Sequence, residues 1–406
     1  MALNFPPHPD RAAAIAEAHA RPPLPLAVPS TIHLVTLSLA DDRAIRAVFE
    51  ALFEEPMEGA ARHTIRHRGA VTIKWERHTE FASVTVISAE DATSGEKIVG
   101  SLGYKVPEGV QLLVALRVRI ARKPAPPPPG YEFGGLLRSG IEVYSSFRAG
   151  EDGFIDYHVA VGDTGPEQLG RRIQRMLEAE VYRTMALIGL PLARRIGPVL
   201  AALEQRLADV TVALRQQREG AAEILEQIQT LSAETEALRT ETRFRFSASR
   251  AYAALVEERI QSLAEEKIGE RPTISGFTRT RLAPAVRTIV SAEARQEELS
   301  AAVGRALNLL RARVDVSLNR ANQDILRSMN ERQHRQLVLS EAVESLSVIA
   351  ITYYLVGLLS YPVKSLIEAA LLPVSEITAL AILAPFVALG VFAVLRGLRR
   401  RWTPGE

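Results

Sequence analysis

Lys74, Trp75, Glu76, Arg77, His78, Thr79 and Glu80 crowd two cations, two carboxylates and an imidazole between two strand-like runs. Such a group can hold an anion or a carboxylate ligand through charge-assisted hydrogen bonds. Glu17, His19 and Arg21, ahead of Pro22 and Pro23, offer the same chemistry on a smaller scale. The competing reading of both groups is a solvated turn with internal ion pairs, because turns are normally polar. His63 and His67 stand four apart in a strand-like run, where that spacing does not bring ring nitrogens together as it would on a helix. There is no cysteine, which excludes disulfides, thiolate zinc sites and cysteine nucleophiles. A phosphate-cradling glycine loop, a dinucleotide fingerprint and a zinc-protease histidine pair are all missing. No catalytic residue, metal ligand or cofactor is therefore nominated, and the chain is not read as an enzyme.

These groups need a scaffold, and the chain supplies two kinds. Ile32–Leu39 reads as a half-buried strand, and Asp41 and Asp42 then cap a helix with Ile45, Val48, Phe49 and Leu52 on one face. Further strand-like runs follow at 63–75, 81–87, 110–120, 136–147 and 154–161, interrupted by a proline-rich loop at 122–130. This predicts a mixed α/β domain over residues 1–165. From Pro166 the apolar period lengthens to about three and a half. Leu169, Ile173, Met176, Leu177 and Val181 form a stripe that ends at Pro191. Leu203, Leu207, Val210, Leu214, Ile224, Ile228, Leu231 and Leu238 read as one long coiled-coil-like helix, frayed near Gly220. A third helical block spans 244–267. Glu178, Glu180, Tyr182 and Arg183 on the first of these blocks, and Arg243, Arg245, Arg250 and Tyr252 on the third, suit packing between helices.

Between Gly304 and Gly357 lie roughly 52 residues without glycine or proline, about 78 Å as a single helix. Its early part is charged, with apolar positions at Leu307, Leu310, Val314, Leu318, Ile325 and Met329 that need a water-side partner. Residues 345–363 carry no charge over roughly 19 residues, and 377–395 do the same, each long enough to cross a hydrocarbon core. A stalk over 166–344 thus continues into two transmembrane helices over 345–395, joined by a short outer loop, 364–376. Arg396, Arg399, Arg400 and Arg401 after the second stretch, and Arg332 and Arg335 before the first, predict both termini in the cytoplasm, with a basic tail at 396–406. The start, with Pro6, Pro7, His8, Pro9, Asp10 and Arg11, lacks the apolar run of a secretory signal. Ser345, Thr352 and Ser360 share one face of the first span and either line a pore between symmetric copies or pack helices together. Glu368 and Glu376 are the acidic groups of the outer loop.

The stretches His8 and Ala16–Pro23, Lys74–Phe81, Tyr182–Pro191 and Ile349–Gly357 resemble a bacterial family of uncharacterised membrane-anchored proteins, defined as a domain of unknown function. The resemblance covers nearly the whole chain and implies a bacterial inner (cytoplasmic) membrane. The element order is similar to that of CorA-type magnesium channels: a cytoplasmic α/β domain, a stalk helix that becomes the first span, a short outer loop, a second span and a basic tail. The Gly-Met-Asn signature of that family is replaced here by Leu359–Lys364. That likeness implies a homo-oligomer, a pentamer by analogy.

The fold class expected is α+β: a mixed α/β domain, coiled-coil-like helices forming a stalk, and two C-terminal transmembrane helices. The partners expected are the lipid bilayer, further copies of the chain and a protein partner. A net charge of +2 on a membrane-tied chain does not suit nucleic acid, despite Phe244, Phe246 and Tyr252 among the arginines. Two functions fit, an oligomeric ion channel or transporter and a membrane-tethered sensor or scaffold.

Overall fold

A computed structural model describes the chain except residues 1–7, 13, 16–21, 39–40, 59–61, 90–91, 106–107, 217–219, 369–373 and 403–406. It comprises two units, Met1–Asn308 and Leu309–Glu406. In the first, the described residues form a nine-stranded sheet of order β2-β3-β4-β1-β5-β8-β7-β6-β9. Its strands are β1 (Ser30–Ser38), β2 (His63–Arg68), β3 (Val71–Arg77), β4 (Phe81–Ser88), β5 (Gln111–Arg122), β6 (Phe133–Leu137), β7 (Ile141–Ala149), β8 (Ile155–Val161) and β9 (Glu266–Lys267). All neighbours are antiparallel except β5 and β8.

Side chains alternate across the sheet with period two, so each strand feeds two cores. Val35, Leu37, Ile73, Trp75, Val84 and Val86 face helices α1 (Asp42–Phe53) and α2 (Ala92–Lys105). Ile32, Leu34, Phe81, Leu116, Val118 and Tyr157 face α3 (Pro166–Leu187), whose Leu169, Ile173, Met176, Leu177 and Val181 cover them. Helix α1 forms as its sequence predicts: the Asp41 carboxylate accepts from the Ala44 backbone N–H at 2.8 Å, and Ile45, Val48, Phe49 and Leu52 are buried. Helix α2 had no sequence signal, because Gly95, Gly100 and Gly103 are poor helix formers. Gly95 is there for space: a Cβ would stand 2.6 Å from His33 Nδ1 and 2.8 Å from Ser88 Oγ.

The helical part differs from its sequence reading at two points. The expected single helix through Leu203–Leu238 is two, α4 (Gly189–Gln216) and α5 (Ala221–Leu263), so Gly220 marks a reversal rather than a frayed turn. Leu203, Leu207, Val210 and Leu214 of α4 are buried, as are Ile224, Ile228, Leu231 and Thr235 of α5, and Arg206–Glu234 and Arg195–Glu241 ion pairs link the two antiparallel. A heptad pattern continues through a helical hairpin when both arms bury the same kind of stripe, which is why the sequence hid the turn. The block expected at 244–267 is the second half of α5. Helix α6 (Ile274–Glu368) follows as one 95-residue element. Its first part, in the first unit, packs through Leu282, Ile289, Leu299 and Val303, and a buried Gln296–Thr242 pair at 3.0 Å joins it to α5.

The second unit contains the rest of α6 and α7 (Glu376–Trp402). Three helical stretches among the described residues are long and apolar enough to cross a membrane, in Pro166–Gln216, Ile274–Glu368 and Glu376–Gly397. The apolar window of the first is 33% buried by protein, those of the others 0% and 6%.

His33 lies fully buried on β1, 3.7 Å from Glu96 and beside Arg117, which holds Asp156 at 2.7 Å and Asp152 at 2.7 Å. Burial, aided by Arg117 and Arg119 and opposed by Glu96, lowers the imidazole pKa below its ordinary 6.5. The unfolded chain therefore binds a proton that the folded one refuses, so this contribution is intact above pH 6.5 and is lost as pH falls below it. Thermal unfolding of the detergent-solubilised chain between pH 7.5 and 5 should show a falling midpoint, with a shallower fall in His33→Leu; equal slopes would contradict the assignment.

Candidate functional site

A cavity of about 460 Å³ opens between the sheet and α3, a size ordinary for a small-molecule site. Its floor is built by register. Lys74 of β3 pairs with Thr85 of β4, and Glu76 with Ser83, while Thr85 and Ile87 pair onward with Leu34 and Ile32 of β1. All these side chains point toward α3 because they share one phase of the strand period. The floor is consequently polar at Lys74, Glu76, Ser83 and Thr85 and apolar at Ile32, Leu34, Phe81 and Ile87.

The rim is set by backbone contact. Leu26 N–H donates to the Pro166 carbonyl at 3.1 Å, and Gly170 lets the chain pass at the start of α3: a Cβ there would lie 1.9 Å from the Leu24 carbonyl oxygen. Pro23, Leu24 and Leu26 thereby border the cavity.

The charged groups are unevenly matched. Lys74, only 4% exposed, holds Glu76 at 3.0 Å. Glu178 accepts from Gln174 Nε2 at 2.8 Å and from Arg259 of α5. Arg171 and Arg175 also line the cavity, and among the described residues neither has an ion-pair partner. Their neighbour Arg172 turns away to the Ser262 carbonyl at 2.8 Å; burial, then the like charges of Arg175, Arg138 and Arg171, lowers its pKa. Positive charge is in local excess. His78 stacks on Phe81 with ring centroids 4.2 Å apart, and Tyr182 stacks on Tyr252 at 5.8 Å. Burial, then the Glu80 charge, pushes the Tyr252 hydroxyl up to about 12, so it stays protonated.

Of the sequence cluster, Lys74, Glu76 and His78 converge on the cavity. Arg77 and Glu80 do not line it, pairing instead with Asp42 at 2.7 Å and with Arg245 at 2.8 Å. Glu17, His19 and Arg21 lie outside the described residues. Glu178 and Tyr182 join the site, whereas Glu180 and Arg183 form a buried pair at 2.7 Å. His67 bonds Thr72 Oγ1 at 3.0 Å, and no group of residues that could hold a metal occurs among the described residues. Sequence reasoning missed Arg171, Arg175 and Arg259, having read these helices for apolar stripes and packing pairs; for the first two the available signal was the basic run at 171–175 flanking the α3 stripe.

In the second unit, Thr352 and Ser360 of α6 and Glu376 of α7 line a mostly apolar cleft between the two helices of the same chain. Ser345 is exposed and donates to the Glu341 carbonyl at 2.9 Å, and Glu368 is exposed near the end of α6.

A mixed α/β sheet domain followed by long helices, with a cavity under the first of them, defines the class of protein. The chain belongs to the family described as Protein of unknown function (DUF3422), whose model matches residues 6–402. That match bears out the resemblance to a domain of unknown function read from the sequence. No curated protein and no solved structure matches it.

The Lys74–Glu76 pair tests how the site is held. Lys74→Met or Glu76→Gln alone strands a buried charge and should cost about 3–5 kcal/mol, while Lys74→Met with Glu76→Leu should cost clearly less. Thermal midpoints of the three variants check this; an additive loss in the double variant would contradict it.

Proposed function

We propose that the chain is a membrane-tethered binding protein, in which 345–363 and 377–395 cross the bilayer and the α/β domain takes a small molecule between its sheet and α3. The observation that carries the tether is the uncovered apolar surface of those stretches. Leu346 is 70% exposed and Phe386 72%, and their apolar windows are essentially unburied. The third candidate stretch, in Pro166–Gln216, is assigned to the folded domain, since Ala193, Ile196, Leu200 and Leu203 of α4 are buried by protein. The arginines after 395 and before 345 favour both termini in the cytoplasm of a bacterium, with 364–376 outside. The activity is read as binding rather than catalysis.

A second reading, the oligomeric CorA-like channel or transporter, draws on one observation. Helix α6 is unbroken from the first unit through the first apolar stretch, and Leu318, Ile325 and Met329 along it are exposed, as a stalk facing further copies or a protein partner requires. The placement of Thr352 and Ser360 against α7 favours packing between spans over pore lining. Binding is therefore the preferred reading.

The tether is tested by alkaline extraction of membranes. The chain should stay in the pellet, whereas Leu355→Arg together with Phe386→Arg, each costing about 2.5–3.5 kcal/mol at a span centre, should release it. Extraction of the unaltered chain would overturn the tether.

A further inference from the structure

We infer that the cavity under α3 binds a small amphipathic anion, a carboxylate or phosphate head on an apolar body. The inference rests on the binding reading above and adds the class of ligand. Two independent features of the cavity carry it.

The first is charge. Among the described residues four cations line the cavity, Lys74, Arg171, Arg175 and Arg259, against two carboxylates, Glu76 and Glu178. Each carboxylate is held by one cation, Glu76 by Lys74 and Glu178 by Arg259, which leaves the two α3 guanidiniums without an ion-pair partner among the described residues. Arg171 and Arg175 stand four apart, on successive turns of one helix face, so both present planar donor forks to the same opening. Guanidinium forks match carboxylate and phosphate oxygens in paired hydrogen bonds.

The second is the division of the floor. Lys74–Thr85 and Glu76–Ser83 form two polar cross-strand pairs, and Ile32, Leu34, Phe81 and Ile87 complete an apolar half on the same face. Ile173, Leu177 and Val181 roof the cavity with apolar groups from α3. A bare inorganic ion would leave that half empty, and a wholly apolar molecule would leave the arginines unmatched and desolvate the Lys74–Glu76 pair without return. A ligand with one charged end and one apolar end satisfies both.

The test uses calorimetric titration of the full chain in phosphatidylcholine nanodiscs, with empty nanodiscs subtracted. Octanoate, octyl phosphate, octanol and acetate are the probes. Saturable octanoate or octyl phosphate binding at least tenfold tighter than octanol and acetate supports the inference. Arg171→Gln with Arg175→Gln should weaken the anions at least tenfold and leave octanol unchanged. Its thermal midpoint should not fall, because like charges are removed. Equal binding of octanol and octanoate would overturn the anionic class while leaving the cavity a binding site; binding of none would overturn the binding reading itself. Repeating the titration in nanodiscs containing phosphatidylglycerol separates two sources of the anion. Octanoate binding lost there assigns the cavity to an anionic lipid, and binding unchanged assigns it to a free molecule; either result supports the class.

Discussion

Leu169, Ile173, Met176, Leu177 and Val181 lie against a sheet, whereas the apolar run of α6 from 345 and that of α7 are left almost wholly unburied. Removing apolar surface from water is the constraint that organises both units. In the first unit it is met by protein: the sheet is apolar on both faces because helices cover both. In the second it is not met within the chain. Fourteen large apolar side chains within the two stretches, from Leu346 to Val394, stay exposed, each forgoing about 1.5–3 kcal/mol of burial. The proposed tether would meet it with a solvent other than water, and each stretch is long enough to cross a bilayer.

The same constraint explains why the cavity sits where it does. Strand alternation sends Lys74, Glu76, Ser83 and Thr85 to the side on which α3 packs, so the roof helix cannot close onto an apolar floor there. Lys74 and Glu76 satisfy each other, and the space above them remains. Gly170 fixes the near edge by admitting the Leu24 backbone against α3. The site is thus a by-product of period-two patterning interrupted by four polar residues, with the arginines of α3 supplying its excess charge.

Much of the fold was legible where one residue type decides the outcome. Asp41 announced α1, and the strand-like runs at 81–87 and 154–161 match β4 and β8 to within a residue. The runs 63–75 and 136–147 each concealed a turn: Gly69 separates β2 from β3, and Ser139 with Gly140 separates β6 from β7, all three with positive φ. Such tight turns leave the apolar alternation on either side intact, so periodicity alone runs through them. Helix α2 was invisible because three glycines weaken its local signal, and one of them, Gly95, answers to His33 and Ser88 across the packing interface, a tertiary demand with no local trace. Half of the site was readable for a similar reason: Lys74, Glu76 and His78 are neighbours in sequence, but Arg171, Arg175 and Arg259 reach them only once α3 and α5 are placed.

The central claim is that residues 345–363 and 377–395 lie in lipid with the segment between them on the far side from the α/β domain. The chain has no cysteine, so single cysteines report position without interference. Ser317→Cys, Ser365→Cys and Gly397→Cys, each alone in the full chain, should be exposed to a membrane-impermeant maleimide in intact bacterial cells. The account predicts labelling of the Ser365→Cys chain alone, with the other two reacting only after lysis. Protection of Ser365→Cys in intact cells, or labelling of all three alike, would contradict it.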